Sequence, residues 1–132
     1  MEFEVDPQNP PSDIGLRFSN SQGEEYILGL NVEQNEFFTD RRQSGKTDFS
    51  EHFPKIHVAP RSSNSNKVKM RVFLDHASLE FFADDNEVVF TDIFFSNENF
   101  SEIEAFSEGG TVKLKSGTIY PLQKMQITTA AK

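Results

Sequence analysis

The segment Asp75-His76-Ala77-Ser78-Leu79-Glu80 gathers two carboxylates, an imidazole and a hydroxyl within six residues, side-chain types used in general acid–base and nucleophilic chemistry. His52 and His57 add two more imidazoles, and imidazole binds zinc well. Hydrolysis of a sugar bond needs two carboxyl groups, one as nucleophile or base and one as proton donor; with 21 Asp and Glu in the chain, a chance pair is nearly guaranteed. The spacing argues against each of these sites. No Ser-His-Asp order stands out, and His52 and His57 lie five residues apart on either side of Pro54, where neither helix nor strand geometry brings them together. Asp75 and Ser78 instead suit a corner between two strands. A carboxylate there accepts hydrogen bonds from backbone N–H groups two or three residues on, and a serine hydroxyl adds another. The reading is therefore of a chain with no catalytic residue, no metal and no cofactor.

The corner joins two runs of period 2. Val68, Met70, Val72 and Leu74 alternate with Lys69, Arg71 and Phe73; beyond the corner, Leu79, Phe81 and Ala83 alternate with Ser78, Glu80 and Phe82. Such alternation marks strands with one buried face. Asp84-Asp85-Asn86 accept tight-turn geometry, and Val88 to Phe95 make a third run of β-branched and aromatic residues. Connections this short exclude a parallel crossover, so the three runs predict an antiparallel meander. Glu80 is expected to meet Arg71 across the ladder, an exposed pair contributing about 0.2–1 kcal/mol.

The rest of the chain repeats the pattern. Phe3 and Val5 predict a short strand before Pro7, Pro10 and Pro11. Leu16 and Phe18, the turn Asn20-Ser21-Gln22-Gly23, and Tyr26, Leu28 and Leu30 predict a hairpin, with Phe37-Phe38-Thr39 as its next neighbour. The polar stretch 40–53, with Asp40, Arg41, Ser44 and Gly45, reads as an ordered loop whose Phe49 and Phe53 plug a sheet edge. A short strand over Lys55–Val58 and a surface turn over Arg61–Lys67 precede the meander. Ile103, Ala105 and Phe106 predict a hairpin through Glu108-Gly109-Gly110 to Val112 and Leu114, followed by a last strand through Ile119, Tyr120 and Leu122. Residues 126–132 read as a flexible tail. No helical period, internal repeat or linker divides the chain, so residues 1–125 form one all-β sandwich or barrel.

Charge and composition narrow the partners. A net charge of −8 with scattered cations argues against nucleic acid and against a membrane surface. The absence of cysteine removes disulfides and thiolate chemistry. The acidic, proline-rich start shows no signal peptide, and no apolar run is long enough to cross a membrane. Fourteen Phe supply much of the apolar surface. The adjacent pairs Phe37-Phe38, Phe81-Phe82 and Phe94-Phe95 must send one ring to each face of a sheet. One ring of each pair then needs cover from outside its own core, and a large uncovered patch would mark an interaction surface.

The segment 72–91, VFLDHASLEFFADDNEVVFT, resembles the signature of the C-terminal β-sandwich module of family-32 glycoside hydrolases, the levanases, inulinases and invertases. In that family a hydrophobic strand leads into Asp-Arg-Ser-Ser-Val-Glu-Val-Phe, then Asn-Asp-Gly and a strand ending in Thr. Asp75, Ser78, Glu80, Phe82 and Thr91 match; His76, Ala77 and Asn86 depart from it. Asp40, Arg41, Ser44 and Gly45 resemble the family's Asp-Arg-x-x-Ser-Gly segment. The resemblance runs from about Gly15 to Leu122. It implies a two-sheet antiparallel β-sandwich, jelly-roll-like or concanavalin-like and without substantial helix, packed on a catalytic five-bladed β-propeller of the same polypeptide. The propeller's acidic motifs, Trp-Met-Asn-Asp-Pro-Asn-Gly, Arg-Asp-Pro and Glu-Cys, do not occur in this chain. The resemblance thus implies a non-catalytic accessory module of a fructan- or sucrose-hydrolysing enzyme, secreted or periplasmic in a bacterium. A fructan-binding module and a homodimerisation module are the alternatives.

Overall fold

The computed structural model describes residues 1–43, 56–75, 77–93, 96, 98–117 and 126–131. They form β1 (Glu2–Val5), β2 (Asp13–Ser19), β3 (Glu25–Asn31), β4 (Glu36–Gln43), β5 (Ile56–Pro60), β6 (Lys67–Leu74), β7 (Ser78–Ala83), β8 (Val88–Ile93), β9 (Glu102–Glu108), β10 (Val112–Ser116) and β11 (Gln126–Ala131). One sheet has the order β10-β1-β6-β7-β8 and the other β11-β9-β2-β3-β4-β5. Every pairing is antiparallel except that of β11 with β9, which is parallel. The sandwich expected from the alternating runs is the fold observed.

Period 2 accounts for the layering. In the meander β6-β7-β8, Val68, Met70, Leu79, Phe81, Ala83 and Phe90 are buried while Lys69, Arg71, Glu80 and Val89 face out. From the six-stranded sheet, Ile14, Leu16, Phe18, Tyr26, Leu28, Leu30 and Phe37 face them. Phe81 joins the layers, stacked on Phe90 at 5.7 Å and edge-on to Phe37 at 5.9 Å. Burying one such ring contributes about 1.5–3 kcal/mol. The turn from β7 to β8 has Asp84, Asp85 and Asn86 all at positive φ (49°, 56° and 73°), a conformation that Asp and Asn tolerate best after glycine.

Four expectations need correction or qualification. First, Glu108-Gly109-Gly110 is not a hairpin turn: β9 pairs with β2 in one sheet and β10 with β1 in the other. The segment arches between layers against the proline-rich arch from β1 to β2, with Thr111 N–H donating to Asn9 O (2.9 Å) and Ser12 N–H to Glu108 O (2.8 Å). A Cβ on Gly110 would lie 2.4 Å from Pro11 N, so the two arches approach this closely only because that residue is glycine. Second, Asp40 and Arg41 are strand residues, because β4 continues to Gln43 and Asp40 pairs with Ile56. Third, Gln126–Ala131, read as a tail, run as β11 beside β9. Fourth, Arg71 stands opposite Phe82, and Glu80 opposite Phe73. Among the described residues Arg71 forms no ion pair with Glu80; it stacks over Phe82 and Phe73 and donates to Asn86 Oδ1 (3.3 Å). The expected plugs Phe49 and Phe53, the pair Phe94-Phe95 and the strand through Ile119, Tyr120 and Leu122 lie outside the described residues.

Candidate functional site: a buried polar node and an exposed sheet face

Among the described residues polar side chains gather both inside the sandwich and on its surface, and alternation decides which of them face the core. Asp92 has the same parity on β8 as Phe90, so its carboxylate points inward and is 2% exposed. Tyr26 on β3, fully buried, donates its hydroxyl to Asp92 Oδ2 at 2.5 Å. His57 on β5 places Nδ1 2.9 Å from Asp92 Oδ1. Arg41, inward on β4 and 3% exposed, donates Nη1 to the carbonyl of Ile93 at 2.6 Å. Thr39 is buried on the same side of β4. Side chains from four strands thus tie one sheet to the other around a single carboxylate.

The electrostatics follow from burial. Desolvation, with the Asp92 carboxylate second, pushes the Tyr26 hydroxyl far above its ordinary range, so it remains a donor. Desolvation pulls the Arg41 guanidinium down, while Asp92 and Tyr26 favour its charged form. Asp92 Oδ2 accepts the Tyr26 hydroxyl, while Oδ1 lies 2.9 Å from His57 Nδ1 and accepts no hydrogen bond within the structure. The Tyr26–Asp92 and Arg41–Ile93 hydrogen bonds each join one sheet to the other.

A second buried cation closes the arch from β5 to β6. Arg61 donates Nε to Asp84 Oδ2 (2.7 Å), Nη1 to Ser65 O (3.0 Å) and Nη2 to Lys67 O (2.9 Å), with its guanidinium 5.9 Å from the Phe37 ring centre. In the sequence it is the first residue of a Ser/Asn-rich run, and nothing there separates it from a solvated arginine. Elsewhere, Asp13 on β2 faces Glu108 on β9. Burial first, and the Glu108 charge second, raise its carboxyl above the usual aspartate range. Among the described residues no three His, Asp or Glu side chains group as a metal ion requires.

The residues of the signature fall together on one outer surface. Ser78, Glu80 and Phe82 project outward from β7, with Thr91 beside Glu80 and Val89 beside Phe82 on β8. Asp75 closes the corner through its N–H, which donates to Ser78 O at 2.9 Å. Phe73 is 55% exposed, Val89 51% and Ile93 50%, an apolar field around Glu80. Asp40 and Arg41 belong to the other sheet and do not join this group; Ser44 and Gly45 lie outside the described residues.

Comparison with known proteins places the chain in context. A family model described as the C-terminal domain of family-32 glycosyl hydrolases matches residues 1–121. A levanase of Bacillus sp. (strain L7) is 35% identical over 92% of the chain, and a levanase of Bacillus subtilis (strain 168) is 33% identical over 97% of it. The chain spans only 13% and 19% of those two proteins. The crystal structure of an exo-inulinase from Aspergillus awamori superposes with a TM-score of 0.65 and 22% identity, over 75% of this chain and 20% of the inulinase. At that identity the likeness concerns the fold alone.

Proposed function

The chain belongs to the family of C-terminal domains of family-32 glycosyl hydrolases, and on that premise we propose that it is a non-catalytic accessory β-sandwich that stabilises the catalytic β-propeller of a fructan- or sucrose-hydrolysing polypeptide. The observation that carries this reading is one of proportion: nearly the whole chain aligns with levanases of which it is less than a fifth. The hydrogen bond from Tyr26 to the buried Asp92 supports it, since it ties one sheet to the other. The test incubates residues 1–132, and separately the polypeptide encoded by the whole gene, with levan, inulin and sucrose. Sugar release by the longer polypeptide alone is the expected result. Release by residues 1–132, or a gene encoding nothing further, overturns the proposal.

Fructan binding is the second reading. It is motivated by the exposed Phe73, but the guanidinium of Arg71 lies 5.5 Å from that ring centre and 5.0 Å from that of Phe82, against ring faces on which a sugar would stack. Titration calorimetry with levan and inulin decides between them; absence of heat is expected from an accessory module.

A further inference from the structure

The two outer faces of the sandwich differ in how completely they cover themselves. On the six-stranded sheet, Phe106 stands opposite Gly15 and is only 5% exposed. Arg17 lies 5.3 Å over its ring and is held by Glu104 (2.5 Å) and Glu25 (3.4 Å). Glycine in a strand leaves a gap that a cross-strand aromatic fills, and here the filling ring carries its own ion-paired lid. Among the described residues of that sheet, the large apolar groups left bare, Ile56 and Val58, belong to the edge strand β5.

On the outer face of β6-β7-β8 the guanidinium of Arg71 lies over Phe73 and Phe82 but is held by no ion pair among the described residues, and Phe73 stays bare. Phe73, Val89 and Ile93 are each about half exposed or more, and they surround Glu80, which no described cation pairs. Ser78, Glu80, Phe82 and Thr91, the signature residues of the meander, all project here and contribute nothing to the core between the sheets. An outward face that sets exposed apolar side chains around one carboxylate without a cation fits a surface that is covered in the whole protein.

We propose that the outer face of β6, β7 and β8 is the surface on which the remainder of the parent polypeptide packs, presenting apolar side chains to Phe73, Val89 and Ile93 and a cationic or N–H donor group to Glu80. This rests on the accessory-module reading and adds the face. The occupant follows from length: the related levanases are more than five times longer than their match to this chain, and contacts between domains of one polypeptide commonly bury about 600–1,500 Å², enough to cover three strands.

Residues 1–132 contain no cysteine, so a thiol introduced there is read from a peptide that carries no other. In the whole-gene polypeptide, Val89→Cys and Val58→Cys are alkylated with iodoacetamide, and each rate is read from its own peptide by mass spectrometry relative to the rate in denaturant. Val89 is 51% and Val58 61% exposed in the domain itself, so without docking the two label alike. The expected result is at least tenfold slower labelling of V89C than of V58C. Thr91→Cys, on the same row as Glu80, is a second reporter should V89C fold poorly. Equal rates, or protection of V58C alone, overturn the assignment of the face. Failure of the accessory reading is separately visible: deleting the domain would leave the unfolding of the longer polypeptide unchanged.

Discussion

Replacing Asp92 with alanine removes the carboxylate that accepts the Tyr26 hydroxyl, lies 2.9 Å from His57 Nδ1 and favours the charged form of Arg41. Asp92 is 2% and Arg41 3% exposed, so both charged groups lie within the sandwich. Breaking a buried pair by deleting one partner costs about 3–5 kcal/mol. A domain of this size is stable by roughly 5–15 kcal/mol in total, so the loss is a large fraction of the whole. At roughly 3–5 °C per kcal/mol for a chain of intermediate length, the melting midpoint falls by about 9–25 °C. Tyr26→Phe removes one hydrogen bond and keeps the packing, at a cost of about 1–2 kcal/mol. Because both act on one carboxylate, the double variant should lose less than the sum, by about 0.5–3 kcal/mol. Thermal and urea unfolding followed by circular dichroism at pH 7 supply all four corners of the cycle. A midpoint for D92A within a degree or two of the parent's, or strict additivity, would refute the node as the tie between sheets.

Three further predictions concern other parts of the fold. Arg61→Ala strips Asp84 and the carbonyls of Ser65 and Lys67 of their donor and should cost about 3 kcal/mol, read from the urea midpoint. Gly29→Ala sets a Cβ 2.0 Å from Ile14 O and 2.9 Å from Gly15 Cα. Both contacts are backbone, so β2 and β3 must separate, and a loss of about 1–3 kcal/mol is expected; an unchanged midpoint would contradict the close approach. Asp13 has a folded-state pKa raised above its unfolded value. Its penalty is therefore absent below the ordinary aspartate range and fully present once pH exceeds the folded value, so stability falls as pH rises through that window. Asp13→Asn should stabilise at pH 7 by at most about 0.5 kcal/mol, since solvent screens a half-open site, and the gain should vanish near pH 3; a gain that persists there would count against the mechanism.

The meander was legible because one face of each strand is core and the other is not: Met70 and Phe81 could point only inward once Arg71 and Glu80 pointed out. The arch at Gly109-Gly110 was not, since two glycines after a strand read as a tight turn, while the true partner of β9 is β2, remote in sequence. The node escaped because Tyr26, Arg41, His57 and Asp92 come from four separate strands, and only the folded sandwich brings them together. Their signal lay in parity. Asp92 follows Phe90 by two residues, and Thr39 and Arg41 follow Phe37 by two and four, so each polar side chain occupies a core position that demands a partner. Reading 40–53 as one loop hid this, because it took Arg41 out of the strand whose parity aims it inward.

The central claim is that this domain supports a larger catalytic polypeptide without performing the reaction. Its most direct measurement is the thermal midpoint of fructan hydrolysis by the whole-gene polypeptide, with and without the segment comprising residues 1–132. The account predicts a midpoint lower by several degrees in the shortened polypeptide, with the catalytic residues still assembled and fructan still cleaved at low temperature. An unchanged midpoint would contradict the supporting role, and complete loss of cleavage by a shortened polypeptide that remains folded would place part of the chemistry in this chain.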